Sequence, residues 1–409
     1  MTIDLSITAA RRFLLLHQGL LGERRFIGKE GALDYVRQCG CIQFDPVDVC
    51  GRNAELTLQS RVGRFTKKAL YDLLYKDRLL FDYLDKELAI LPIESWPYFL
   101  RYREHCREHV KRFPAMEALE ASALEYIRKH GPVDSASLPI GGMTEWHSAI
   151  HWSGNWHGET NAARAVLEQL YTAGELAIHH KTGTRKSYDL AERCIPAEYL
   201  NAPEPLPDET EHLKWRIMKR VGAVGLLWNR NSPAYLGLSG FASFGAEERR
   251  EAFSQLLSEG RVTAARVEGM NMPLYLRTED LPLAERAASN ESFRPRCEFL
   301  APLDPFLWDK PLISRLFGFS YSWEIYTPAE KRKYGCYVLP IVYGERFIGR
   351  IEAIPERGTG VLTVKNIWLE PDVKSGVRLT SAVTAAAERF ARFNGCTETV
   401  MPDGFRRAD

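Results

Sequence analysis

An α+β protein assembled from repeated helix–hairpin units is what this 409-residue sequence predicts, and three observations predict it. A helix-then-hairpin pattern in the middle of the chain recurs 86 residues later, so that Gly174 matches Gly260, Leu176 matches Val262 and Leu190 matches Leu276. Beyond about Ser292 strand-forming apolar runs take over, and two of them meet across Gly344-Glu345, a hairpin signal. Pro203, Pro205 and Pro207 mark a linker between the second and third units.

In chain order, Ser6 or Thr8 caps a helix running to Gln18, and a second helix covers Lys29 to Gln38. Gly40 breaks the chain, and the stretch Ile42 to Val47 follows as an extended segment, so that the N-terminal part reads as a divergent copy of the repeat. In the first clear copy, Ala163, Val166, Leu167, Leu170 and Tyr171 fall at helical spacing. Gly174 supplies a left-handed cap, and Leu176-Ala177-Ile178 and Ser187-Tyr188-Asp189-Leu190 flank a turn from Lys181 to Lys186. In the second copy a helix marked by Phe253, Leu256 and Leu257 ends at Ser258-Glu259-Gly260. Val262-Thr263-Ala264 and Pro273-Leu274-Tyr275-Leu276 then flank a turn at Glu268-Gly269-Met270-Asn271. Helices from Leu119 to Lys129, before Gly131-Pro132, and from Leu213 to Val221, before a break at Gly222, precede the two copies.

Three short helices and a two-stranded hairpin make a winged helix, a variant of helix-turn-helix. The fold class is therefore α+β, with tandem winged-helix units and a C-terminal region containing a β-hairpin. The expected divisions are 1–115, 116–202, 203–290 and 291–409. The last holds strands at Tyr337–Tyr343, Arg346–Ile351 and Val361–Ile367 and a helix from Ser375 to Phe393.

Apolar content of 45% and charged content of 26% fit a soluble globular protein, and no apolar run approaches the length of a membrane span. The eight cysteines show no CxxC or paired metal spacing, so free thiols in a reducing cytoplasm are expected, with no metal and no cofactor. A net charge of +1 argues against a generic polyanion binder. Any nucleic-acid contact must come from local clusters: Arg24-Arg25, Lys67-Lys68, Lys111-Arg112, Lys181 with Arg185 and Lys186, or Lys331-Arg332-Lys333. A wing commonly touches the DNA backbone, and only the first wing carries cations at its tip. Winged helices also serve as protein scaffolds, and packing is the competing reading.

The most informative short run is Gln43-Phe44-Asp45. If Ile42 to Val47 is extended, side chains two apart share a face, so an amide and a carboxylate project together. Such a pair can hold a water and offset a developing positive charge. Asp followed by Pro is also a common turn opening, which is the plainer reading of Asp45-Pro46.

Several longer runs carry a resemblance: Leu303-Asp304-Pro305-Phe306-Leu307-Trp308-Asp309, Leu316-Phe317-Gly318-Phe319-Ser320-Tyr321, Tyr326-Thr327-Pro328-Ala329-Glu330-Lys331-Arg332, Tyr337-Val338-Leu339-Pro340 and Gly349-Arg350. Together they resemble the AlkZ/YcaQ-type winged-helix DNA glycosylases over nearly the whole chain. The resemblance implies a C-shaped scaffold of tandem winged helices that binds duplex DNA. It also implies a Gln-x-Gln or Gln-x-Asp active site, which Gln43 and Asp45 match in the Gln-x-Asp, YcaQ-like form. The runs Arg52-Asn53-Ala54-Glu55-Leu56 and Ser60-Arg61-Val62-Gly63 resemble that branch as well. The implied activity is monofunctional, metal-free excision of N7-alkylated guanines, including unhooking of interstrand crosslinks. Two stretches depart from the family pattern: Tyr83-Leu84-Asp85-Lys86-Glu87, where an aromatic and a His-Glu pair are expected, and Ile351-Glu352-Ala353-Ile354-Pro355, which lacks the usual Asp and Lys.

On this reading Asp45 stabilises the charged sugar and activates water, and Gln43 holds that water. Lys181, Arg185 and Lys186 on the first wing, Lys331, Arg332 and Lys333, and Arg346 and Arg350 at the C-terminal hairpin are the candidate DNA contacts. That hairpin either probes the groove beside the lesion or merely closes its sheet. A monomer is expected, located in the cytoplasm and associated with the nucleoid of a bacterium. The alternative is a non-enzymatic winged-helix transcription regulator, which calls for sequence-specific binding and a symmetric dimer.

Overall fold

The computed structural model describes residues 1–149, 158–238 and 244–408. They pack as two compact units. One comprises Met1–Ala69, Arg216–Leu236 and Phe244–Asp409, and the other comprises Leu70–Trp215 with the short piece that begins at Gly237.

In the first unit, Ser6 caps the helix Ile7–His17 by accepting a hydrogen bond from the Ala9 amide at 3.1 Å. A second helix, Gly28–Cys39, ends at Gly40, whose φ of 69° is the left-handed conformation that glycine adopts without penalty. The second copy of the repeat forms the helix Ala246–Ser258 and the strands Val262–Val267 and Leu274–Arg277. Its hairpin has no free edge: Thr2–Leu5 pairs in parallel with Val262–Val267, and Leu227–Trp228 pairs with Leu274–Arg277. This hairpin is therefore the middle of a four-stranded sheet.

The break expected at Gly222 is absent, because the helix Glu209–Val224 runs through it. The glycine is needed for close packing. A Cβ there would meet the Gln38 carbonyl oxygen at 2.8 Å and the Arg277 guanidinium at 2.9 Å.

The C-terminal sheet runs Cys297–Phe299, Leu339–Tyr343, Arg346–Glu356, Val361–Leu369 and Glu398–Val400, with Arg406–Arg407 also paired to Val361–Leu369. Tyr343 pairs directly with Arg346, so Gly344-Glu345 is a two-residue turn, with Gly344 at φ 58°. The last crossover carries the helix Val377–Phe393 between parallel strands. Leu379, Val383, Ala386, Ala387, Phe390 and Ala391 form its buried stripe, which packs on the sheet with Phe390 edge-on to Phe299.

The N-terminal helices and the C-terminal segment are joined by one buried ion pair. Arg61 and Asp304 have no exposed side-chain surface and form a two-pronged contact at 2.8 and 2.5 Å. Arg61 also donates to the Thr57 carbonyl at 2.8 Å and Ser60 Oγ at 2.7 Å, and lies over the ring of Tyr35. Tyr35 donates to Gln18, whose amide reaches the Ala223 carbonyl at 2.7 Å. Burial opposes the guanidinium charge, but Asp304 and its neighbours outweigh it and leave Arg61 above its ordinary value.

In the second unit the first copy of the repeat follows the sequence pattern closely. Its helices are Pro114–His130 and Ala162–Ala173, the latter capped by Gly174 at φ 77°. Leu176–Thr182 and Arg185–Leu190 form the hairpin, and a bridge from Val133 to Tyr188 adds a third partner. Tyr83, Phe99 and Tyr171 fill the core edge-on to one another. The Leu80–Asp85 and Glu87–Pro92 strands bear the stretch that departs from the family pattern, and Tyr83 is fully buried there.

Replacing Asp304 by Ala strands a guanidinium in the core, at a cost of about 3–5 kcal/mol. The denaturation midpoint of that variant falls well below that of the parent chain. An unchanged midpoint would show that the buried pair does not hold this unit together.

Candidate active site

Strand structure at the Gln43 motif covers only Ile42–Gln43, not the whole Ile42–Val47 stretch. The chain turns at Asp45-Pro46 because the Asp45 carboxylate accepts a hydrogen bond from the Val47 amide at 2.9 Å. Phe44 is 9% exposed and anchors the segment, while Pro46 lies on the surface. The extended backbone on which a shared face for Gln43 and Asp45 depended therefore ends at Gln43, and Asp45 opens the turn.

Two polar side chains tie this turn down. Asn53 opens the short helix Asn53–Gln59 and is 1% exposed. Its Nδ2 donates to the Gln43 carbonyl at 2.9 Å, and its Oδ1 accepts from the Leu303 amide at 2.8 Å. One amide therefore clamps the motif to the residue beside Asp304. Asp48 accepts from the Gly51 amide at 3.2 Å and from Arg357 at 2.7 Å. Burial acts against the Asp48 charge, but Arg357 prevails and holds the carboxyl below its usual range. A Cβ on Gly51, at φ 121°, would meet Leu56 at 3.0 Å and Phe393 at 3.2 Å, so the loop closes tightly on the C-terminal helix.

Gln43 is only 6% exposed, yet its side-chain amide has no hydrogen-bond partner among the described residues. Asp45 is half-buried. Burial raises its carboxyl and the single Val47 hydrogen bond lowers it, with a net rise above the ordinary value. The pair is neither sealed in the core nor turned fully into bulk water. It can accept and orient one water while keeping a carboxylate in a partly dry setting.

An aromatic loop stands beside it. Glu324 accepts hydrogen bonds from three successive amides, Lys333 at 2.8 Å, Tyr334 at 2.9 Å and Gly335 at 3.2 Å. Arg332 donates to the Thr327 carbonyl at 2.8 Å. Trp323 packs edge-on to Tyr337 and to Tyr326. Trp323, Val47 and Val49 pack against the same apolar cluster. Tyr326 nonetheless leaves 79% of its surface exposed. Burial, and after it the negative charge on Asp45, raises its phenol.

The candidate DNA contacts divide in two. Arg185 is 69% exposed with Asp134 at 3.3 Å, Lys331 and Lys333 are exposed, Arg332 is partly buried, and Arg346 is 46% exposed opposite Asp372 at 2.7 Å. The other three point inward. Lys181 forms a buried ion pair with Asp82, which also accepts from Tyr75. Lys186 packs over Tyr171, and burial followed by repulsion from Lys181 lowers its amine to about 8. Arg350, 4% exposed, pairs with Glu370 at 3.2 Å, donates to the Ser320 carbonyl at 2.9 Å and is stacked on Tyr334. Each of these three cationic groups already has a partner within the protein. The sequence puts Lys181 and Lys186 in the hairpin turn, whereas they lie on the strands Leu176–Thr182 and Arg185–Leu190, and it says nothing of their partners.

A cavity of about 360 Å³ beside Arg350, Glu324 and Glu370 does not include Gln43 or Asp45. Among the described residues no helix is long and apolar enough to cross a membrane. Asn53 and Tyr326 lie in runs that carry the family resemblance, yet nothing in the spacing marks their roles. The Asn53 clamp joins positions 250 residues apart.

The mixed fold of helices and sheets is that of a solved DNA glycosylase. The DNA glycosylase AlkZ of Streptomyces sahachiroi aligns with a TM-score of 0.59 and 17% identity, covering 97% of this chain and 100% of that one. A family model described as DNA glycosylase AlkZ-like matches residues 36–393, a span that holds Gln43, Asp45, Asn53 and Tyr326. The chain belongs to the AlkZ-like DNA glycosylase family, which makes DNA its substrate class.

Replacing Asn53 by Ala leaves the Leu303 amide and the Gln43 carbonyl without their partner. The expected cost is about 1–3 kcal/mol, seen as a lower melting temperature, together with slower base excision. Wild-type values of both would remove Asn53 as the clamp.

Proposed function

We propose that this chain is a monofunctional DNA glycosylase that hydrolyses the N-glycosidic bond of N7-alkylated guanines, including those in interstrand crosslinks. The observation that carries the reading is the half-buried Asp45 carboxylate, two residues from a Gln43 amide that has no hydrogen-bond partner among the described residues. An N7-alkylated guanine already bears a positive charge and leaves readily, so no acid is needed to protonate it. The remaining task is to stabilise an oxocarbenium-like sugar and deliver water, the work carboxylates do in glycoside hydrolysis. Asp45 supplies the negative charge and draws the proton from the water, while Gln43 orients that water. A carboxylate in a partly dry site acts more strongly on developing charge than one in bulk solvent.

In this reading the helix–hairpin copies act as winged helices along the duplex, with Arg185 at the tip of the first wing. Lys331, Arg332 and Lys333, on the aromatic loop, and Arg346, at the C-terminal hairpin, take phosphates near the lesion. Tyr326 offers an exposed ring on a braced loop beside Asp45. A cationic, alkylated base stacks favourably on such a ring.

Asp45→Asn abolishes base release from a duplex carrying N7-methylguanine while duplex binding persists. Single-turnover rates equal to wild type would remove Asp45 from the chemistry. In the wild-type enzyme the rate falls on the acid side as Asp45 protonates, with a midpoint above the ordinary value of 3.8. A profile that stays flat below that value argues for a different group.

Tyr326→Ala weakens binding of the lesion relative to undamaged duplex by about 1–3 kcal/mol, and Tyr326→Phe restores it. Equal loss for both duplexes would make the ring a general contact, with no role in lesion recognition.

A further inference from the structure

The pair Arg24-Arg25 and the segment around Arg64 carry cationic groups that the Gln43–Asp45 site does not use. In the folded chain Arg24 and Arg64 join a larger group. Two cavities, of about 390 and 540 Å³, share Arg24, Glu298 and Arg389 in their walls. Glu298 is 4% exposed and is the carboxylate at their centre. It takes Arg24 at 2.7 Å, Arg296 at 3.0 Å and Arg389 at 3.6 Å. One negative charge cannot neutralise three guanidiniums. The excess shows on Arg296, which stands near 10: burial lowers it, Glu298 raises it, and Arg24 and Arg389 lower it.

Arg64 and Arg392 add two more cations on the wall of the first cavity. Both are exposed, and neither guanidinium has a hydrogen-bond or ion-pair partner among the described residues. Arg64 also has a φ of 58°, an uncommon conformation for a residue with a Cβ, held where its neighbours over-determine it. In a chain whose net charge is only +1, this concentration of cations is local.

The groove is close to the motif. The helix Asn53–Gln59 clamps Gln43 at its first residue and lines the groove at its last. At 1.5 Å per residue, those six steps span roughly 9 Å. Phe393 lines the groove and also abuts Gly51, in the loop after Asp45.

We propose that this arginine groove is a phosphate-binding track for the nucleic-acid backbone, a few nucleotides away from the lesion. The proposal rests on the reading of Gln43 and Asp45 as the excision site. Arg64 and Arg392 face the phosphates directly, and the triad around Glu298 supplies a fixed positive background behind them. Arginines that take phosphate oxygens suit sequence-independent contact.

The test is the salt dependence of binding to undamaged duplex DNA, with the full chain. Each phosphate contact contributes about −0.9 to the slope of log affinity against log salt. The R64A/R392A double variant is expected to reduce the slope magnitude by about 2 and to keep its melting temperature, since both side chains are exposed. R64K/R392K restores the slope. R266A, whose guanidinium pairs with Asp4 on the open surface, leaves it unchanged. An unchanged slope in the double variant overturns the proposal, as does an equal fall in R266A. This binding measurement needs no base release, so it stands or fails separately from the excision reading.

Discussion

The buried pair of Arg61 and Asp304 is the constraint from which the site follows. Two charges without exposed surface survive only because each is held by the other and by further hydrogen bonds. That requirement brings the segment after the first helices onto a turn almost 250 residues later. Leu303 thereby meets Asn53, and Asn53 fixes the backbone at Gln43. The geometry of the motif is inherited from a core contact that touches no substrate.

Around that anchor the site combines rigidity with partial exposure. The backbone of the turn is fixed by Asn53, Asp45 and Asp48, and the facing loop by Glu324. The side chains of the motif are sparsely bonded: among the described residues Asp45 accepts one protein hydrogen bond and the Gln43 amide has none. Polar capacity left open in this way is available to water and substrate. The same division recurs at the surface, where Tyr326 is exposed on a loop braced by Glu324 and Arg332.

Local pattern carried much of the fold. Helix caps at Ser6, Gly40 and Gly174, both repeat hairpins and the two-residue turn at Gly344-Glu345 depend on short-range chemistry and were legible in the sequence. Gly222 misled because glycine both ends helices and permits close packing, and only the Gln38 carbonyl beside it decides between them. The Gln-x-Asp motif was legible as a type of residue pair, but its turn and clamp were not. Lys181, Lys186 and Arg350 look like surface cations until Asp82, Tyr171 and Glu370 are in view. Motif residues such as Asp304 and Asp309 proved structural: one binds Arg61, and the other caps the helix Lys310–Phe317 and accepts from Ser232. Long-range pairing is not encoded in spacing, so it is seen only in the folded chain.

The most direct test of this account is product analysis on a duplex with one N7-methylguanine, in the presence of a chelator and borohydride. The account predicts free alkylated base, an abasic site in an unbroken strand and no protein–DNA adduct. Strand cleavage with a borohydride-trapped covalent complex, or no base released at all, would contradict it.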